Sequence, residues 1–244
     1  MLLCLQYSKE EEARFLSHLD LMMAMERAFR RAGLPLAFSE GFNPHPRIAY
    51  ASALAVGVTS EGEYLDLQLR EELPPEVVLE RVSKVLPRGL RVKAVVPVTK
   101  RKQSLMAVIN LARYRVEVPI VQDYDQEIEK ELLLQEVIDQ EVIDRVIAQA
   151  IAFPVYLVQR QGKKGIREVN IRPGIRELTG QIRGRKLILE MAVQTGSSGN
   201  VKPEEVVKMV RARSPWQLGE NLRIHRLGLY IYADTQVWLP LERS

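Results

Sequence analysis

Hydrophobic positions along the first hundred residues switch between strand-like and helix-like spacing. Met1–Tyr7 is a short apolar run and reads as a strand. After a polar stretch from Ser8, Leu19, Met22, Met23, Met25, Ala28, Phe29 and Ala32 recur at helical intervals. Ser17 is placed to cap that helix, and Gly33 with Pro35 stops it. The segment 36–46 is loop-like, and Arg47–Ala51 can form a strand. Leu65, Leu67 and Leu69 alternate with Tyr64, Asp66 and Gln68, the pattern of a half-buried strand. Pro74 and Pro75 open a second helix carrying Val78, Leu79, Val82, Val85 and Leu86, and Leu90–Val98 is again extended. The order is βαββαβ, the ferredoxin-like pattern.

The second half repeats that order without repeating the sequence. Tyr114, Val116 and Val118 alternate as in a strand, and residues 135–151 place Val137, Ile138, Val142, Val146 and Ile147 on one helical side. Phe153–Val158 and Arg185–Gln194 read as strands, Pro203–Val210 as a helix, and Leu222–Tyr232 as the closing strand. The expected fold class is therefore α+β, with two tandem ferredoxin-like (βαββαβ) units and antiparallel sheets. The division falls at the polar Lys100-Arg101-Lys102 break, giving units 1–103 and 104–244.

A length of 244 residues accommodates one large domain or two small ones. With 46% apolar and 27% charged residues the chain has material for a core and is not a disordered sequence. No apolar run approaches the roughly 20 residues that cross a bilayer, and MLLCLQYSKEEE has no basic start. The expectation is a cytoplasmic protein without a membrane partner. Cys4 is the one cysteine, which excludes an intrachain disulfide, a Cys-rich zinc site and the three-cysteine cluster of a radical SAM enzyme. Phosphate-binding glycine motifs and a G-x-S-x-G elbow are absent. His18, His45 and His225 are not spaced as a zinc set. No metal and no cofactor are expected.

Charge is segregated along the chain. Residues 160–186 hold nine basic side chains, Arg160, Lys163, Lys164, Arg167, Arg172, Arg176, Arg183, Arg185 and Lys186, against Glu168 and Glu177. Residues 123–145 hold nine acids against two bases, an acidic surface region or one that pairs with the basic stretch, and within it 123–131 reads as a solvated helical face rather than a divalent-metal site. The basic stretch, with Lys163 and Lys164 at a hairpin tip followed by Arg167 and Arg172, is a candidate phosphate track. The same residues also fit a charged face in solvent.

Two further stretches carry candidate chemistry. In Ser39-Glu40-Gly41-Phe42-Asn43-Pro44-His45-Pro46-Arg47 the prolines restrict the backbone around His45, so a rigid loop presents Asn43, His45 and Arg47. The alternative is a purely structural loop. In Arg14-Phe15-Leu16-Ser17-His18-Leu19-Asp20, His18 stands at a helix start as a candidate base or ligand, with Ser17 or Asp20 to orient it. Arg14 belongs to the same stretch. Arg27 and Arg31, one turn apart, form a possible two-point anion clamp, or simply complement the helix C-terminus.

These stretches, with Arg27–Pro35, resemble the signature of the radical-SAM-linked bacterial family. That family is a domain of unknown function found beside, or fused to, radical SAM proteins of the cobalamin-binding type. The similarity is dense over residues 1–70 and looser around Ile171-Arg172-Pro173 and His225–Tyr230. It implies a cytosolic bacterial protein linked to a radical SAM partner, and no established activity or catalytic residue. The expected architecture is also similar to CRISPR repeat-processing endoribonucleases, a likeness of fold alone. The reading is a non-catalytic or accessory partner of a radical SAM protein that binds RNA or a ribonucleoprotein substrate, with RNA or a ribosome-associated particle as the further partner. One alternative is a metal-independent endoribonuclease using His18 and His45. Another is a protein-interaction subunit working through its Met-rich or acidic helix.

Overall fold

Each strand of the first half buries one row of side chains against two helices. In a computed structural model that describes residues 1–101, 103–121, 132–162, 165–197 and 199–244, the protein is a mixed α+β molecule whose strands pair mostly antiparallel. Two compact units emerge, and they follow contacts rather than chain order. The first comprises 1–112, 196–198 and 225–244; the second comprises 113–195 and 199–224.

In the first unit β1 (Leu2–Lys9) lies between β4 (Leu90–Pro97) and β3 (Thr59–Gln68), antiparallel to both. The short β2 (Ile48–Tyr50) pairs antiparallel with β3, and β10 (Arg223–Ala233) pairs parallel with it at His225 and Arg226. Leu3, Leu5, Tyr7, Leu65 and Leu67 pack against Leu21, Met25 and Phe29 of α1 (His18–Arg31) and Val78 and Val82 of α2 (Pro75–Ser83). Ser17 caps α1 by accepting from the Asp20 N–H at 3.2 Å. At the other end Gly33, at φ 64°, and Leu34 return their N–H groups to the carbonyls of Arg30 and Phe29, a Schellman closure.

β3 differs from the expected half-buried strand: Tyr64, Leu65, Asp66 and Leu67 are all buried. Arg101 reaches over its outer face to pair with Asp66 at 2.5 Å, and that carboxylate lies close enough to Cys4 to hydrogen-bond with it. The pairing joins residues 35 positions apart, which alternation along one strand does not register. The unit is completed by α3 (Leu105–Val108) and by β11 (Gln236–Trp238), which pairs with β10.

In the second unit the strand order is β5 (Leu111–Pro119), β9 (Lys186–Gln194), β8 (Ile175–Arg183). α4 (Leu132–Ala152) packs on β8, its Gln140 amide donating to the Gly180 carbonyl at 3.0 Å. α5 (Pro203–Arg211) buries Val206, Val207, Met209 and Val210. Phe153–Val158 is not the strand that follows α4 in this sheet. Residues 153–156 are irregular, and β6 (Leu157–Gly162) forms a separate two-stranded ribbon with β7 (Gly165–Asn170). The sheet strand is β8. A register shift between Ile175 and Glu177 breaks its alternation, so its pattern is hidden within the basic stretch.

Candidate nucleic-acid interface

The alternation of β5 determines which cations reach the surface of the second unit. Tyr114, Val116 and Val118 are buried, so Arg113, Arg115 and Glu117 lie on the opposite face. Arg183, Arg185 and Lys186 lie where β8 turns into β9 and are exposed. Together with Pro119, Ile120, Gln181 and Ile188, these residues of β5, β8 and β9 line a recess of about 680 Å³.

Four cations and one carboxylate line the recess, and their charges are unequally balanced. Lys186 donates to Glu117 at 2.7 Å, and this hydrogen bond holds the Glu117 carboxyl below its ordinary range. Arg115 pairs with Glu190, with its Nε 2.8 Å from Oε1. Among the described residues Arg183 contacts only the neutral Gln181 amide, at 3.3 Å. Arg185 has no side-chain partner among the described residues. Among the described residues the uncompensated charge of the recess therefore belongs to Arg183 and Arg185. Planar guanidinium donors around a concave surface suit phosphate oxygens. The polar lining of the recess consists of guanidinium, ammonium and amide groups with a single carboxylate, Glu117, which Lys186 already engages.

Other parts of the basic stretch are internally engaged. Arg160 on β6 forms an ion pair with Glu205 on α5, with contacts of 2.7 and 2.5 Å, both side chains being mostly buried. Arg172 directs its guanidinium to the carbonyls of Ile151 and Ile175, joining the end of α4 to the start of β8. Arg167 is exposed on β7. Lys163 and Lys164 lie outside the described residues, as does the acidic run 123–131.

In the first unit the histidine-bearing stretches take different roles. His18 stands at the first position of α1, its ring 5.5 Å from that of Tyr50 in an edge-on arrangement. Its Nδ1 is buried and makes no hydrogen bond. His45 is exposed, and Ser39 clasps its backbone: Oγ accepts from the His45 N–H, and the Ser39 N–H donates to the His45 carbonyl. Asn43 is exposed beside it, while Arg47 donates weakly to Gln68 at 3.4 Å. Arg14 braces the neighbouring loop, donating to the Gly57 carbonyl and to Glu11. Arg31 donates to the Val85 carbonyl, and Arg27 is exposed on α1.

Several notable groups were not selected by sequence reasoning. His225 Nδ1 lies 2.8 Å from Thr59 Oγ1, and Arg226 Nη1 donates to both carboxylate oxygens of the buried Glu63, each at 3.0 Å. Arg115 of the recess was available as the polar counterpart of the Tyr114–Val118 alternation. Nothing local distinguished Arg185 from Arg172. Among the described residues, no cluster of three His, Cys, Asp or Glu side chains could hold a metal, and no helix is long and apolar enough to cross a membrane.

Residues 3–203 match the model of a family described as an uncharacterized protein conserved in bacteria, DUF2344, and the chain belongs to that family. No curated protein matches the sequence.

Proposed function

We propose that this member of the DUF2344 family is an RNA-binding accessory protein without catalytic chemistry of its own, and that its second unit holds the RNA backbone. The observation that carries the reading is the recess in which Arg183 and Arg185 stand uncompensated among four cations. A polyanion placed there neutralises charge without breaking the Lys186–Glu117 or Arg115–Glu190 pairs. The radical SAM partner remains part of the proposal, supported by the resemblance of the Arg14–Asp20, Arg27–Pro35 and Ser39–Pro46 stretches. The ferredoxin-like reading of the first half is supported by its antiparallel order β4-β1-β3 with β2 on β3. In the second half it is supported by β5-β9-β8, with the ribbon inserted ahead of β8.

The test is fluorescence anisotropy of a labelled single-stranded RNA of about 20 nucleotides, titrated between ~20 and ~200 mM KCl. Each phosphate contact contributes a slope of about −0.7 in log K against log salt. The double variant Arg183→Glu/Arg185→Glu is expected to weaken binding at least tenfold at low salt and to flatten the slope by about 1.4, the contribution of two contacts. No binding at ~20 mM salt, or affinity indifferent to salt, overturns the proposal.

A further inference from the structure

The N-terminal end of α1 carries an unusual surface. Phe15 is 70% exposed, Leu19 69% and Met23 47%. Leu19 and Met23 lie one turn apart on the face of α1 opposite the buried Leu21, Met25 and Phe29, with Phe15 just ahead of the cap. Val56, 57% exposed, joins them: the Gly57 N–H donates to the Arg14 carbonyl and Arg14 Nε to the Gly57 carbonyl, both at 3.0 Å. Single exposed apolar residues are ordinary, but four gathered at one place mark an interaction surface.

Charge at the two ends of the stripe indicates what covers it. Exposed Glu12 lies at its N-terminal end beside Glu11, which Arg14 pairs at 2.9 Å, and exposed Asp20 flanks Leu19, so that end carries three acids against Arg14. The C-terminal end carries Arg27, Arg30 and Arg31 against Glu26; Glu26 pairs Arg30 at 2.7 Å, Arg31 donates to the Val85 carbonyl, and Arg27 has no ion-pair partner among the described residues. A surface that is acidic at one end, apolar in the middle and basic at the other is complementary to itself when turned end for end. We infer that this stripe is an isologous interface between two copies of the chain, with the two α1 helices packed antiparallel. Phe15, Leu19, Met23 and Val56 form its apolar centre, and the basic end of each helix faces the acidic end of its mate. A two-fold axis brings the same patch of each copy together, as an isologous contact requires. Antiparallel packing also sets opposite ends of the two helix dipoles side by side.

Sedimentation velocity of the full chain between ~1 and ~100 µM tests the inference, without RNA. The wild type is expected to shift from the mass of one 27.9 kDa chain to that of two as concentration rises. Leu19→Glu is expected to keep the protein monomeric throughout that range. Its side chain is already exposed, so at ~1 µM, where the wild type is also monomeric, its melting temperature should match the wild type's. Arg27→Glu, which sets acid against acid, should raise the dimer dissociation constant at least tenfold. Arg81→Glu on α2, exposed and off the stripe, should leave it unchanged. A wild type that is monomeric at ~100 µM overturns the inference, and so does a folded Leu19→Glu variant that dimerises as the wild type does.

Discussion

Cys4 and Gly62 illustrate how single positions answer to neighbours remote in sequence. Cys4 is buried on β1, and burial pushes its thiol from 9.0 up to about 11, against a hydrogen bond with Ser244 that acts in the opposite direction. Below pH 9 the thiol is neutral in both folded and unfolded chains and contributes nothing to the pH dependence. Between pH 9 and 11 the unfolded chain ionises while the folded one holds its proton, so stability falls. By pH 11 the loss is about 2 kcal/mol from this group alone. Denaturant unfolding at pH 8 and at pH 11 should show a smaller alkaline loss for Cys4→Ala than for the wild type; equal losses would refute the assignment. Gly62 has no unusual φ, yet a Cβ there would lie 2.7 Å from the Gly228 Cα and 3.1 Å from the Leu227 carbonyl. Backbone cannot rotate away as a side chain can. Gly62→Ala is therefore expected to cost about 2–3 kcal/mol in chemical denaturation, and a change below 0.5 kcal/mol, within the usual range of a surface substitution, would count against the close approach.

Elements differ in how well their own pattern announces them. α1 carries its cap at Ser17, its buried row and its Gly33 stop within 17 consecutive residues, so its position is legible locally. The β6–β7 ribbon is the opposite case. Two strands alone are marginal in water, and its side chains are mostly exposed. What ties it down is Arg160 reaching Glu205, 45 positions further along, where the same carboxylate also accepts from the Lys202 N–H at 3.0 Å. Removing one partner of such a pair leaves the other uncompensated, a cost of about 3–5 kcal/mol. Glu205→Ala is expected to lower global stability by about that amount. It should also raise amide exchange through residues 157–162 and 165–170 more than through β9, as read by hydrogen-exchange mass spectrometry. Unchanged protection of the ribbon would show that something other than the Arg160–Glu205 pair holds it.

At the scale of the whole molecule, a formal net charge of +4 is a poor guide to anion binding. Nine bases within residues 160–186 suggest one continuous positive track. Of these the fold holds Arg160 and Lys186 in ion pairs, bonds Arg172 to backbone, and leaves Arg183 and Arg185 without a carboxylate among the described residues. A consequence separates the recess from general electrostatics. Arg172→Gln should lower stability through the lost carbonyl contacts, while its RNA affinity at equal folded fraction stays within twofold of the wild type. Arg183→Gln should do the reverse, weakening RNA binding several-fold with little change in melting temperature. Equal effects of the two substitutions on affinity would mean that the field of the whole stretch, rather than the recess, attracts the polyanion.

The sequence by itself determined what depends on near neighbours: the helical period of α1, the Ser17 cap, the Gly33 stop, and the alternation that turns Arg115 away from Tyr114 and Val116. These follow from spacing and local hydrogen bonding, which a window of a few residues contains. Tertiary structure alone decided which cations remain free, why β3 is buried on both faces, and why the strand after α4 is β8. Each of those outcomes turns on a partner tens of residues distant, such as Glu117 for Lys186 across 69 positions or Asp66 for Arg101 across 35. A charge reads the same in the sequence whether it meets a carboxylate or water; only the fold determines which it meets.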